Sequence, residues 1–417
     1  MLTAYFDPAG RRIRALRNSS AGFLFDGFAN TLSEAGYATI TARRYLRAAE
    51  HFIYWSDRNR RPVRDVDEKF LGQFVHHLDR CRCPHQGHAD RPSLTQGTRL
   101  FLKYLRERGI STTLPVTSSV AGDSTLLSRY CEWMRLQRGT CDATLWRHRH
   151  YVRELLAELG EVLSQWDAHG LRAFVLNQSR RCSPATLQSC AAAVRIFVRF
   201  LIAEGQCAVG LDAAIPRVAQ WRLAVLPRAL PPDDVERVIA SCNLASPVGR
   251  RDRAILLLLA RLGLRAGDVA HLRLRDIDWK EAWIHVRGKS RYEARLPLNQ
   301  EVGQAIVDYL LRGRPQSNIE SVFVCSRAPL RALDSHGAVT AIAARAFQRA
   351  GITRPSRGAA HLLRHSVATS MLRQGASLQD IGTLLRHTSI ETTQIYAKVD
   401  VTALRSIAQP WPEARSC

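Results

Sequence analysis

No unbroken run of apolar residues in this sequence is long enough to cross a membrane. The longest apolar stretch, AILLLLARLGL from Ala254 to Leu264, falls far short of a span and contains Arg261. No apolar core follows the charges of MLTAYFDPAGRRIRALRNSS, so no signal peptide is expected. The ten cysteines lack the regular, even framework of a small secreted domain, which points to reduced thiols and a cytoplasmic location. Negative charge is also scarce. There are 37 Asp and Glu against 60 Lys and Arg, giving a net charge of +23 and a pI near 10.4. Such a balance argues for a polyanionic partner, nucleic acid before any other and not a membrane. A basic but otherwise ordinary cytosolic protein is the alternative reading of the charge alone.

The chain does have ample material for packed cores: 46% of its 417 residues are hydrophobic, and the length suggests two or three domains. Two stretches of the first half resemble copies of one helical unit. LFDGFANTLSEAGYATITARRYLRAAEHF is followed later by TQGTRLFLKYLRERG, and LLSRYCEWMRLQRGTCDATLWRHRHYVRELLAELG by TLQSCAAAVRIFVRFLIAEG. Each opens with an amphipathic helix, turns at a Gly, restarts at Ala-Thr and closes on an aromatic-rich helix ending in Gly. STTLPVTSSVAGDS, from Ser111 to Ser124, reads as the joint between them. The proline-rich IPRVAQWRLAVLPRALPPDD then breaks the helical period and reads as an interdomain linker. Beyond it, PPDDVERVIASC starts a helix with acidic residues in its first turn, and WIHVRGKSRYEARLPL alternates around a Gly-Lys-Ser turn as a β-hairpin. The expected plan is mostly α with a small antiparallel β-sheet: helical domains over 1–115 and 120–212, a linker over 213–229, a domain over 230–400 and a tail over 401–417.

Chemistry-bearing residues gather in this last domain. HLLRHSVATSMLRQGASLQDIGTLLRHTSIETTQIYAKV runs from His361 to Val399. His361 and Arg364 are three residues apart and share a helix face. His387 and Tyr396 follow, while Arg265 in GLRAGD and Lys289 at the hairpin turn stand upstream. Together they suit a phosphodiester reaction. A tyrosine hydroxyl, with an ordinary pKa of about 10, needs adjacent cations to favour the phenolate. Paired arginines clamp non-bridging phosphate oxygens, and a lysine on a hairpin can protonate a departing oxygen. Each residue also has an ordinary reading: surface arginine, hairpin-tip lysine, capping histidine, core aromatic. A metal held by His361 and His365 lacks the Glu of the metalloprotease pattern and a third ligand.

From about Leu230 to Val399 the sequence resembles the tyrosine recombinases, also called the phage integrase family. The family's first box resembles LARLGLRAGDVAHLRLRDIDW and its second the stretch from His361 to Val399. By that resemblance Tyr396 is the nucleophile, attacking DNA to leave a 3′-phosphotyrosyl link and a free 5′-hydroxyl. Lys289 is the general acid and His361 the general base, with Arg265, Arg364 and His387 stabilising the phosphate. The implied partner is double-stranded DNA, bound by a homo-tetramer acting alone or with sister recombinases. No cofactor, metal or nucleotide is implied. Arg386, where many members have Gly, departs from the pattern and is expected to be a surface or DNA-backbone charge. Residues 123–205 resemble the family's core-binding domain, which closes on DNA as a clamp. The extra N-terminal copy inclines the reading toward a mobile-element enzyme, and its Arg43, Arg44 and Arg47 either track phosphates or form a solvated face. The tail is expected to dock on a neighbouring protomer. Type IB topoisomerase chemistry, or a non-catalytic DNA-binding accessory factor, are the alternatives.

One motif stands outside this scheme. CRCPHQGHAD offers Cys81, Cys83, His85 and His88 as metal ligands, but the one-residue cysteine spacing strains a single tetrahedral site, so a polar loop is expected.

Overall fold

The computed structural model describes residues 2–8, 10–83, 90–111, 125–219, 226–287, 293–353, 358–387, 389–400, 404–405 and 408. Lys289, His85, His88, the stretch 112–124 and most of the tail therefore lie outside the described residues. The chain forms two compact units: residues 1–113 together with 225–417, and residues 114–224.

The first unit begins with five helices, α1 (Arg11–Arg17), α2 (Gly22–Glu34), α3 (Thr39–Arg58), α4 (Glu68–His77) and α5 (Arg91–Glu107). Their apolar stripes meet in one core, where Phe25, Phe28, Phe52, Phe74 and Phe101 are buried. Each such side chain contributes roughly 1.5–3 kcal/mol by leaving water. Asp67 caps α4, its carboxylate accepting from the Phe70 N–H at 2.7 Å.

The second unit, α6 (Thr125–Arg138), α7 (Asp142–Leu159), α8 (Ala168–Ser179) and α9 (Pro184–Ala203), repeats the element order of α2 to α5. A short 3₁₀ turn stands between the second and third helix of each set. Asp167 caps α8 as Asp67 caps α4, accepting from Gly170 N–H at 2.7 Å. By length and composition α9 is the one helix among the described residues that matches a membrane span. Its Ala193, Val194, Phe197, Val198 and Leu201 are instead buried inside this bundle. Ile215 and Val218, within the proline-rich stretch, pack on the same core.

The remainder of the first unit is built on a helix whose C-terminal half is entirely apolar. α10 (Pro232–Ala240) carries Asp233 and Asp234 in its first turn; α11 (Pro247–Ala260) buries Ala254 to Ala260 without interruption. α12 (Ala266–Ala270) leads into an antiparallel sheet of β1 (Ile277–Asp278), β2 (Trp283–Arg287) and β3 (Glu293–Pro297). Val286 pairs with Ala294 and Ile284 with Leu296, so the buried residues of the alternating pattern fall on one face. α13 (Gln300–Arg312), α14 (His336–Arg349), α15 (Ala359–Arg373) and α16 (Leu378–Leu385) complete it. Leu330 N–H reaches the Ala35 carbonyl at 2.8 Å, and its side chain lies over Gly36, where a Cβ has no room.

Candidate active site

The site gathers around α15. Arg364 is 3% exposed, and its guanidinium donates to the carbonyls of Gly263 and Leu385. Gly263 makes this possible. Its φ of +57° turns the carbonyl inward, and a side chain there would collide with Leu385. Arg265 is the N-cap of α12 and donates to the Arg386 carbonyl at 2.9 Å. The two arginines expected from sequence thus converge on the turn between α16 and Tyr396.

Arg386 is not a surface charge. It ends α16 in the left-handed region, with φ 53°, and its side chain is 10% exposed. Its Nη2 donates to Asp268 Oδ2 at 2.5 Å, and Asp268 also accepts from the Arg265 N–H at 3.2 Å. This αL turn, a conformation glycine adopts without strain, is held here by a buried ion pair. Arg386 Nε and Nη1 are buried without a protein acceptor. Three guanidinium groups beside one carboxylate leave a local excess of buried positive charge.

Tyr396 lies on a 3₁₀ turn, Gln394–Val399, not on an α-helix. Its ring is 2% exposed, packed with Ala368, Leu372, Ile381 and Leu385. The core-aromatic and chemical readings of this residue therefore describe one side chain, because the phenol oxygen shares a 2.7 Å hydrogen bond with His365 Nδ1. His361 sits one turn earlier, its ring 4.4 Å from that of His365 and nearly perpendicular to it. The histidine at the phenol is thus His365, for which the sequence suggested packing or support of the catalytic groups. His387 Nδ1 bonds Thr393 Oγ1 at 2.8 Å, a buried hydroxyl that steadies the ring.

Burial dominates the electrostatics. It pushes the Tyr396 phenol up to about 12, although Arg364 pulls the other way, so the expected lowering by adjacent cations is outweighed. Burial, then His361 and Arg364, brings His365 down to about 4. Burial, then Arg364 and Arg265, does the same to His387. His361 is lowered by burial and the same two arginines. All three imidazoles are neutral near pH 7 and available as proton acceptors. Even Arg364 is brought down to about 9 by burial and by Arg265 and Arg386, yet remains a cation at neutral pH.

Of the residues expected from sequence, Arg265, Arg364, His361, His387 and Tyr396 are brought together, and Lys289 lies outside the described residues. Spacing missed Asp268, Thr393, the buried role of Arg386 and the contact of His365 with the phenol. The helical offset of His365 from His361 and the departure of Arg386 from the family pattern were the signals the sequence offered. In the N-terminal bundle Arg43, Arg44 and Arg47 are all exposed, and Arg43 also donates to the Tyr5 carbonyl and lies over Phe6.

Residues 228–402 match the Phage integrase family. The protein named integrase/recombinase y4rA of Sinorhizobium fredii is 36% identical over 391 residues, covering 92% of this chain and 93% of that protein. Tyrosine recombinase XerD of Listeria innocua is 30% identical over 250 residues, covering 59% of this chain and 82% of XerD. The fold is similar to that of a lambda integrase tetramer bound to a Holliday junction, with a TM-score of 0.52, 18% identity, and coverage of 79% and 91% of the two chains. A relaxing topoisomerase and a non-catalytic factor are not favoured by these relationships. The phosphodiester chemistry suggested by the residues and the ancestry of the whole chain agree: it belongs to the tyrosine recombinase, or phage integrase, family and is a site-specific DNA recombinase.

Proposed function

We propose that this protein cleaves and rejoins double-stranded DNA through a covalent link between Tyr396 and a 3′-phosphate. The supporting observation is a buried phenol, hydrogen-bonded to a neutral imidazole, in the same pocket of structure as three guanidinium groups. A cluster of buried cations with unpaired donors is costly unless an anion completes it, and a phosphodiester supplies the oxygens. Arg265 and Arg364 then hold the non-bridging oxygens, with His387 beside them, and stabilise the charge that grows in the transition state.

As the Tyr396 oxygen bonds phosphorus, its proton passes to His365, the imidazole already hydrogen-bonded to it. The phosphorus–O5′ bond breaks, and the departing oxygen takes a proton from Lys289, the role the family resemblance gives it. The phosphotyrosyl bond retains the energy for rejoining, when a 5′-hydroxyl attacks and the proton movements reverse. No cofactor enters this sequence of steps. The high phenol pKa keeps the nucleophile protonated at neutral pH, so its proton must be taken as the bond to phosphorus forms.

The excess of basic residues suits a DNA partner, and DNA as substrate is consistent with a cytoplasmic location. The two related helical bundles, around residues 1–115 and 120–212, act as the clamp, ahead of the catalytic domain over 230–400. Four copies act on two DNA sites, by analogy with the lambda integrase tetramer on its junction. Integration or transposition of a mobile element is the reaction that the extra N-terminal bundle favours.

The test is Tyr396→Phe with a nicked DNA substrate that traps covalent complexes. Adducts disappear while DNA binding stays near wild type; persistence of the adduct assigns the nucleophile elsewhere.

A further inference from the structure

The N-terminal bundle contains a side-chain cluster that strand exchange does not use. His51 lies midway along α3, His77 ends α4, and Cys81 and Cys83 lie in the loop that follows. Each turns one donor atom toward a common point, and the four atoms lie within 4.8 Å of one another. Cys81 Sγ is 3.3 Å from His51 Nε2, and Cys83 Sγ is 3.3 Å from His77 Nε2. We propose that His51, His77, Cys81 and Cys83 bind one zinc ion as a closed structural site.

The distances suit that ion. Zinc–sulfur bonds of about 2.3 Å and zinc–nitrogen bonds of about 2.0–2.1 Å imply ligand–ligand edges of roughly 3.3–3.8 Å in a tetrahedron. The two sulfur–nitrogen pairs already stand at such an edge, and small side-chain rotations bring in the rest. Two thiolates and two imidazoles in a tetrahedral set select zinc over harder cations. Four protein ligands leave no open position, so the role is structural and not catalytic.

The surroundings support a metal over a chance contact. The Cys83 N–H points at Cys81 Sγ, 3.4 Å away, a contact that orients the sulfur. His51 is 2% exposed, with the Phe74 ring edge-on to it at 5.2 Å. Trp55 stacks on the His77 ring at 5.6 Å. A thiol is a weak hydrogen-bond partner for an imidazole so shielded from water, whereas a cation takes up its lone pair.

The architecture also supplies a reason for the ion. In the second bundle, α8 and α9 are joined by residues 180–183, but α4 and α5 are joined by residues 78–90. A longer connection costs more entropy to close, and a metal clip between the loop and α3 offsets that cost. Cys-x-Cys looked unsuited to one site when its partners were sought among neighbours in sequence. The tertiary structure provides two histidines from helices instead.

The test is elemental analysis of the full-length protein, purified without a histidine tag or chelator. About one zinc per chain is expected. Cys83→Ser and His77→Ala lose it, while a His85→Ala/His88→Ala double variant retains it. Cobalt substitution of the wild type is expected to produce the visible bands of a tetrahedral thiolate–imidazole complex. Should the cysteine variant fail to fold, zinc release from wild-type protein on titration with a mercurial thiol reagent provides the same reading. Wild-type protein free of zinc and unable to take it up overturns the site. Zinc retained in Cys83→Ser, or lost only with His85 and His88, overturns this ligand set.

Discussion

Histidines are buried at two places in this molecule, and the comparison separates what burial does from what neighbours do. Burial brings His51 in the N-terminal bundle and His365 on α15 down to about 4. Either ring is therefore neutral at pH 7. On α15 the imidazoles face a phenol and three guanidinium groups, an arrangement poised to move a proton beside an anion. In the bundle the imidazoles face two thiols and aromatic walls, an arrangement poised to hold a soft cation. A low imidazole pKa marks a site as interesting but does not name its chemistry; the surrounding charge does.

That contrast can be broken most forcefully at His365. His365→Gln is expected to slow covalent cleavage by roughly 10²–10³-fold with DNA binding retained, the usual worth of a positioned general base. A loss below about threefold, measured on the trapping substrate, moves the base to His361. Next in size is Arg386→Gly, which restores the residue many members have at this turn. Relief of the left-handed strain recovers about 1 kcal/mol, while Asp268 loses a buried partner usually worth more, so a net destabilisation of roughly 2 kcal/mol is expected in urea unfolding. Equal or greater stability in that variant would show that the ion pair is dispensable.

A third test is the pH dependence of stability. His365 and His387 titrate near 4 when folded and near 6.5 when unfolded. Between those values the unfolded chain binds more protons, so their contribution is complete above about pH 6.5 and is lost as pH falls toward 4. Urea unfolding at pH 7 and pH 5 should show this fall, and a smaller one in His365→Gln. The same slope in both proteins would mean that His365 is not held neutral by the fold.

Much of the fold was legible because periodicity reports burial. The apolar run from Ala254 to Ala260 is the buried helix it resembled, and the alternation from Trp283 to Arg287 pairs with Glu293 to Pro297 as a hairpin. The repeated unit was visible because Ala-Thr starts and Gly ends mark helix boundaries locally. The site was legible only as a list of residue types in a recognisable order. Neighbours brought together by the fold escaped: Arg386 and Asp268 are 118 residues apart in sequence, and His51 and Cys81 are 30 apart.

The sequence by itself determined the polyanionic partner, the mostly helical plan and the set of groups able to attack and hold a phosphate. These follow from charge, periodicity and residue chemistry, which are properties of the chain before it folds. Only the tertiary structure decided that Tyr396 is buried and protonated at rest, that His365 reaches it, and that Arg386 faces inward. It alone brought two helical histidines to a Cys-x-Cys loop. Proton affinity and metal geometry depend on distance and desolvation, and neither exists until the chain is packed.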